Sequence, residues 1–375
     1  MMDLTKTIRN FFDREEINTG RQTAADVAKT ICLFFMVQVH LTEELATRFE
    51  TSQGTFLWFM ESFLLPLFGA SVFMFCMGIG FGYSKKTTHK QFIQRGVMIF
   101  ILAYVLNFAR TIPFFIDKFL FDITDWETLM IGCFEVDIMQ FAGLTMICFG
   151  LMKRMKIRPA MMFLIGALSL VVANLIPKFS TGIGFLDLIL GTIIPNQYMD
   201  GSSGVHSCFP LLSYLIFPTA GYFFSFVIKR AKKLNEFYLT WGLVCAAITT
   251  VFMLTCSSKE GEILSGTDEA YYHMAIISGF ALVFSAILFL AVCHFLSVIF
   301  PKFLITSFGR ISGEINSVYC IHWVLVCWFE AILWWCGFPR EETWIYSQGA
   351  LFLVGTAIFV ASVGLALLYK RFKKH

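Results

Sequence analysis

Charge is scarce in this chain. Only 15% of its 375 residues are Asp, Glu, Lys or Arg, where a soluble globular domain carries about 25%. No CxxC pair occurs, and no Cys/His spacing suits zinc, so no metal is expected. The first twenty residues are polar without a central apolar run, and a cleavable signal peptide is therefore not expected. Neither an internal repeat nor a polar linker divides the chain. These absences exclude a water-soluble enzyme, a zinc module and a string of soluble domains. What is abundant is hydrophobic mass: 57% of the residues, with 44 Phe and 17 Met. Apolar stretches of about 20 residues recur, each long enough to cross a bilayer as a helix. Of the eleven cysteines, Cys32, Cys76, Cys148, Cys245, Cys293, Cys320 and Cys327 lie in such stretches, where a thiol acts as a small hydrophobe. Cys133, Cys208, Cys256 and Cys336 fall near one side of the membrane, where one pairing is open.

The spacing predicts an all-α polytopic membrane protein with about ten transmembrane helices in one bundle. The spans fall at about 24–46, 57–82, 92–112, 136–152, 160–177, 207–228, 238–256, 274–300, 313–336 and 344–368. Short cytoplasmic loops collect Lys and Arg. With ten spans, every basic cluster lies on one side: Lys6 to Arg21, Lys85 to Arg95, Lys153 to Arg158, Lys229 to Lys233, Lys302 with Arg310, and Lys370 to Lys374. Both termini are then cytoplasmic. The expected organisation is an amphipathic N-terminal segment at 1–20 on the inner surface, a transmembrane domain at 21–370, and a basic tail at 371–375. The apolar stretch at 183–195 is too short to span and reads as a re-entrant or interfacial piece.

An ionisable group within hydrocarbon is costly and is a functional candidate by default. In the first span Lys29 and His40 are eleven positions apart, which returns a helix to within about 20° of the same face after a rise of roughly 16 Å. Asp26, three residues before Lys29, can pair with it. The bland alternative is a snorkelling lysine and a boundary histidine. Farther on, Asn107 and Arg110 end the third span, and Glu135, Asp137 and Gln140 open the fourth. His206 and His273 precede the sixth and eighth spans, where a solvated interfacial histidine is the plainer reading. His322 lies mid-span in the ninth and needs a polar partner or a cavity.

The basic residue, ten residues, histidine arrangement of Lys29 and His40 resembles the signature of the acyltransferase-3 family. The stretches VDIMQFAGL and FPLLSYLIFPTAGYFFS resemble bacterial relatives of the heparan-α-glucosaminide N-acetyltransferases, and IHWVL resembles a late histidine-bearing span of both groups. The resemblance covers roughly residues 20–370 and places the chain in a transmembrane acyltransferase superfamily. It implies a multi-pass enzyme of a bacterial plasma (inner) membrane that acylates sugars outside the cytoplasm. Departures are present. Lys29 stands where the acyltransferase-3 family has Arg, and Gln94–Arg95 where it often has an Arg pair. In the heparan branch an Asn holds the position of His40 and the catalytic His follows in the next loop. Here no His occurs between His40 and His89.

On this reading acyl-CoA, with acetyl as the expected group, is a co-substrate and no cofactor is permanently bound. Lys29 and Arg95, helped by Lys85, Lys86 and Lys90, meet its phosphates from the inner side. His40 is the expected catalytic base, with Glu43 or Glu44 to orient it. Asn107, Arg110, Asp137, Gln140 and His322 line the acceptor or oxyanion pocket, and His206 and His273 are secondary candidates. Expected partners are membrane lipids, acyl-CoA and an extracytoplasmic glycan or glycolipid. A homo-oligomer is compatible, and nucleic acid is not expected. The rival class is a transporter or flippase for a small exported metabolite or lipid-linked sugar, which also uses polar groups inside a bundle. It lacks matching interrupted segments in two halves of the chain. A structural membrane subunit is disfavoured by the intramembrane Lys and His.

Overall fold

The computed structural model describes residues 11–45, 55–60, 64–85, 88–122, 124–177, 180–195, 208–256, 273–337 and 348–373. Thirteen helices of eight residues or more occur among them. They are α1 (Thr23–Leu45), α2 (Ala70–Gly82), α3 (His89–Phe121), α4 (Trp126–Phe134), α5 (Ile138–Arg154), α6 (Pro159–Leu175) and α7 (Gly184–Gly191). The second half holds α8 (Ile216–Arg230), α9 (Leu234–Cys256), α10 (Ile276–Ile299), α11 (Lys302–Gly313), α12 (Ile315–Trp335) and α13 (Gln348–Phe372). The described residues contain no strand; Phe12 and Ala231 form an isolated bridge.

Seven helical units are long and apolar enough to cross a membrane: α1, α3, Leu211–Arg230 (a short turn plus α8), α9, α10, α12 and α13. Three shorter helices of 17 residues, Pro66–Gly82, α5 and α6, overlap the remaining expected spans, Pro66–Gly82 only the later part of 57–82. α3 runs well past its expected end near 112. At 33 residues it is about 50 Å long, against a hydrocarbon core of about 30 Å. Pro113 sits inside it without ending it, and the stop comes at Asp122, which adopts a left-handed conformation (φ 53°). Lys118 hydrogen-bonds the Asp122 carboxylate at 2.6 Å and holds its pKa below the ordinary range.

Helices in lipid gain no hydrophobic drive from meeting one another, so small residues that let backbones approach are favoured at their contacts. α2 and α8 meet in this way. A side chain at Gly221 would collide with the Phe75 carbonyl, and one at Gly78 with the Pro218 carbonyl. Gly96 and Gly143 allow the same closeness between α3 and α5. These two pairs, with α1 between α10 and α12, frame the interior.

Two expectations about the periphery change. Residues 12–20 hold no helix. Instead they form an irregular strap that bends at Arg14 and Glu15, with Asp13 N–H donating to Arg230 O at 2.7 Å and Ile17 N–H to Lys229 O at 2.8 Å. Glu16 pairs with Lys229 at 3.1 Å. The free carbonyls at the end of α8 attract this pairing, which local periodicity does not register. Residues 1–10 lie outside the described set. The basic tail expected from 371 is continuous with α13, which extends to Phe372. The piece at 183–195 is the eight-residue α7, too short to span, with Asp187 accepting from Thr181 N–H at 2.8 Å and from the Ser180 hydroxyl. The ten cysteines with described side chains are free thiols.

Candidate active site

Two polar regions lie along the interior, joined by one side chain. The first is a cavity of about 380 Å3 whose wall includes Lys29 from α1, Arg95 from α3, and Ser312 and Glu314 from the α11–α12 junction. Met77, Ile99 and Met139 supply apolar lining. Lys29 Nζ stands 3.5 Å from Asp26 Oδ1. The same carboxylate accepts from the Ser312 hydroxyl at 2.6 Å and pairs with Arg21. Asp26 thereby fixes the start of α1 against α11 and holds the Lys29 ammonium at the cavity. Glu314 is taken up by Lys370 at 2.5 Å, which leaves the two cations facing the space. Arg95 itself is exposed. Along α12 the lining extends from Glu314 to Tyr319, a rise of roughly 8 Å.

The second region begins at Tyr319. Its hydroxyl donates to Asp137 Oδ2 and accepts from Trp323 Nε1–H at 2.9 Å. Its ring meets His322 edge-on at 5.1 Å between centroids. His322 stacks on His40 at 5.6 Å and 18°, and His40 lies 4.0 Å from the Trp323 ring. Arg110 covers the same Trp323 ring, with Cζ 4.6 Å from its centroid, and pairs with Glu135 at 2.7 Å and Asp137 at 3.7 Å. Two imidazoles, one guanidinium and two carboxylates thus surround two aromatic side chains.

The hydrogen bonds decide what the imidazoles can do. His40 Nδ1 lies 3.2 Å from Glu43 Oε2. A carboxylate accepts, so Nδ1 carries the proton and Nε2 presents a lone pair. His322 Nδ1 donates to the Val318 carbonyl at 3.3 Å. Its Nε2 is buried without a hydrogen-bond partner among the described residues. The His322 side chain is wholly enclosed (0% exposed), whereas His40 remains partly accessible, 18% by side chain. Of the two acids considered for orienting His40, Glu43 does so; Glu44 shares a hydrogen bond with Glu330 instead.

The pocket residues anticipated from sequence divide by role. Asn107 donates to the Cys133 and Glu135 carbonyls at 3.3 and 2.9 Å, and Gln140 donates to the Glu135 carbonyl at 3.2 Å. Asp137 and Gln140 form a capping box at the start of α5. These three hold the 133–137 turn in place, and that turn aims Glu135 and Asp137 at Arg110. His322 and Arg110 meet the His40 group directly. His273 stands in the turn that opens α10, whereas the partners of His40 come from α12 and its own helix. His206 lies outside the described residues, as does Lys86. Tyr319 and Trp323 were not anticipated, because aromatic residues in an apolar span read as packing. Their spacing of four around His322 was the available signal.

Residues 21–258, more than half of the chain, match the family described as heparan-alpha-glucosaminide N-acetyltransferase, catalytic. No curated protein matches it. The likeness to the acyltransferase-3 branch rests on Lys29 and His40. The family match and the helical bundle agree. The chain belongs to the heparan-alpha-glucosaminide N-acetyltransferase catalytic family and is a membrane-embedded transferase.

Proposed function

We propose that the protein moves an acyl group, expected to be acetyl, from cytoplasmic acyl-CoA to a hydroxyl or amine of an extracytoplasmic sugar, glycan or glycolipid. The observation that carries this reading is the continuity just described. Lys29 and Arg95 share a cavity with Tyr319, and Tyr319 touches the histidine that stacks on His40. The phosphates of the donor meet the two cations, and the pantetheine arm lies over Met77, Ile99 and Met139. The acceptor's O–H or N–H attacks the thioester carbonyl. A C–O or C–N bond forms, the C–S bond breaks, and the proton passes to Nε2 of His40, held in the needed tautomer by Glu43. The protonated imidazole then returns it to the departing thiolate. Arg110 provides positive charge for the oxyanion.

The topology in this proposal is ten spans with both termini cytoplasmic, in a bacterial plasma membrane. It is supported by the one-sided basic clusters and by helices at all ten expected positions. A cysteine introduced at Asp122 should react with a membrane-impermeant maleimide from outside, and one at Arg154 only from inside. Labelling of both from the same side would overturn the ordering of the spans.

The donor site is tested by calorimetry with acetyl-CoA. Lys29→Ala and Arg95→Ala should each weaken binding by about tenfold, the equivalent of about 1.4 kcal/mol and of one charge-assisted contact. Lys29→Arg, which keeps the charge, should bind nearly as the parent does. Unchanged affinity in both alanine variants would place the phosphates elsewhere.

A further inference from the structure

We infer that Tyr319 is the constriction between the donor cavity and the histidine pair, and that it restricts the donor to short, narrow acyl groups. The inference rests on the acyl-CoA reading above and adds to it the residue that sets donor size.

Tyr319 belongs to both regions. It lines the cavity that contains Lys29 and Arg95, and its ring meets His322. Its own side chain is 2% exposed and is pinned at its tip from two directions, by the Asp137 carboxylate and the Trp323 indole N–H. Both pins are themselves fixed. Asp137 caps α5 through its other oxygen, which accepts from Ile138 N–H at 2.6 Å, and it faces Arg110. Trp323 is 7% exposed and is held between His40 and Arg110 contacts. A phenol anchored in this way cannot drift aside to suit each donor. A thioester on its way to His40 has to pass beside a ring of set position, and every extra methylene of the acyl chain has to follow or lie against it. A two-carbon acyl group makes the smallest demand.

The hydrogen bonds separate two effects of Tyr319. The ring limits width, and the hydroxyl limits movement of the ring. Tyr319→Ala removes both; Tyr319→Phe keeps the ring and frees it from Asp137 and Trp323. Lys29 and Arg95 are untouched in either variant, so binding of CoA itself should stay near the parent value.

The experiment compares acetyl-CoA with octanoyl-CoA by thiol release, with glucosamine as the probe acceptor, in the parent, Tyr319→Ala and Tyr319→Phe. Binding of free CoA is followed by calorimetry in each. The ratio of kcat/KM for octanoyl to acetyl donor should rise at least about tenfold in Tyr319→Ala, the low end of what one methylene is worth in a shaped pocket. Tyr319→Phe should raise it by less. A merely structural tyrosine would depress both donors together and leave the ratio unchanged. An unchanged ratio in Tyr319→Phe, with CoA binding intact, overturns the inference even if Tyr319→Ala does not fold. If the parent binds no CoA at all, the donor reading fails first and this inference falls with it.

Discussion

His40→Ala lowers acyl transfer by about 100- to 10,000-fold, the usual worth of general base catalysis, while CoA affinity stays within about twofold. The split follows from position. His40 is roughly 16 Å along α1 from Lys29, too far to touch the donor's phosphates, and it is the partly accessible imidazole of the stacked pair. Glu43 bonds to its Nδ1, which leaves Nε2 as the nitrogen proposed to accept the proton. Glu43→Gln should cost less than removal of the imidazole, because the Gln side-chain oxygen still accepts the Nδ1 proton. His322→Ala should fall between the parent and His40→Ala. Its ring supports His40 and Tyr319, but its Nε2 is enclosed. A His40→Gln variant with normal turnover, beside an inactive His322→Ala, would move the base to α12. Full turnover in both would remove histidine base catalysis.

Arg110→Met destabilises the fold by about 3–5 kcal/mol, the cost of stranding the buried Asp137 carboxylate, with the half-buried Glu135 beside it, by deleting their partner. Arg110 is 7% exposed and is the cation paired with both Glu135 and Asp137. Its loss leaves two acids in a membrane interior, where a lone charge is expensive, and removes the guanidinium from the Trp323 ring. Unfolding of the purified variant in detergent measures the effect. Glu135→Gln in the Arg110→Met background should recover part of the loss, since one stranded charge becomes a neutral amide. A destabilisation below about 1 kcal/mol, with no recovery in the double variant, would mean that the three groups are not coupled. Activity should fall with stability, because the 133–137 turn and Tyr319 are held through the same carboxylate.

The sequence displays the helices, because apolar runs have a local signature. Apolar runs of about 20 residues place the helical segments, the basic clusters propose their direction, and the eleven-residue spacing puts Lys29 and His40 on one face. Arg95 was assigned to the same inner region and does share a cavity with Lys29. What was hidden depends on contacts between distant segments. Tyr319 reaches Asp137 across 182 positions, and nothing local distinguishes it from the other aromatic residues of an apolar span. Asn107 and Gln140 read as pocket groups because they are polar and intramembrane, yet their donors are used by the backbone of the 133–137 turn. The third span is expected to end near residue 112, one position before Pro113. Helix interiors tolerate proline where packing compensates for the lost hydrogen bond, and α3 continues to Phe121. The irregular strap at 11–18 borrows its partners from residues 228–232, which no periodicity in the N-terminal segment announces.

The donor is proposed to enter from the face that bears Lys29 and Arg95, with its acyl group delivered through the membrane toward His40. Purified protein reconstituted in vesicles, with acetyl-CoA confined to one compartment and glucosamine to the other, tests it most directly. With the donor on the Lys29 face, free CoA thiol should appear in the donor compartment and acetylated glucosamine in the opposite one, and His40→Ala should abolish both. Thiol release only when the donor is placed on the His40 face, or product that accumulates on the donor's own side, would contradict the account.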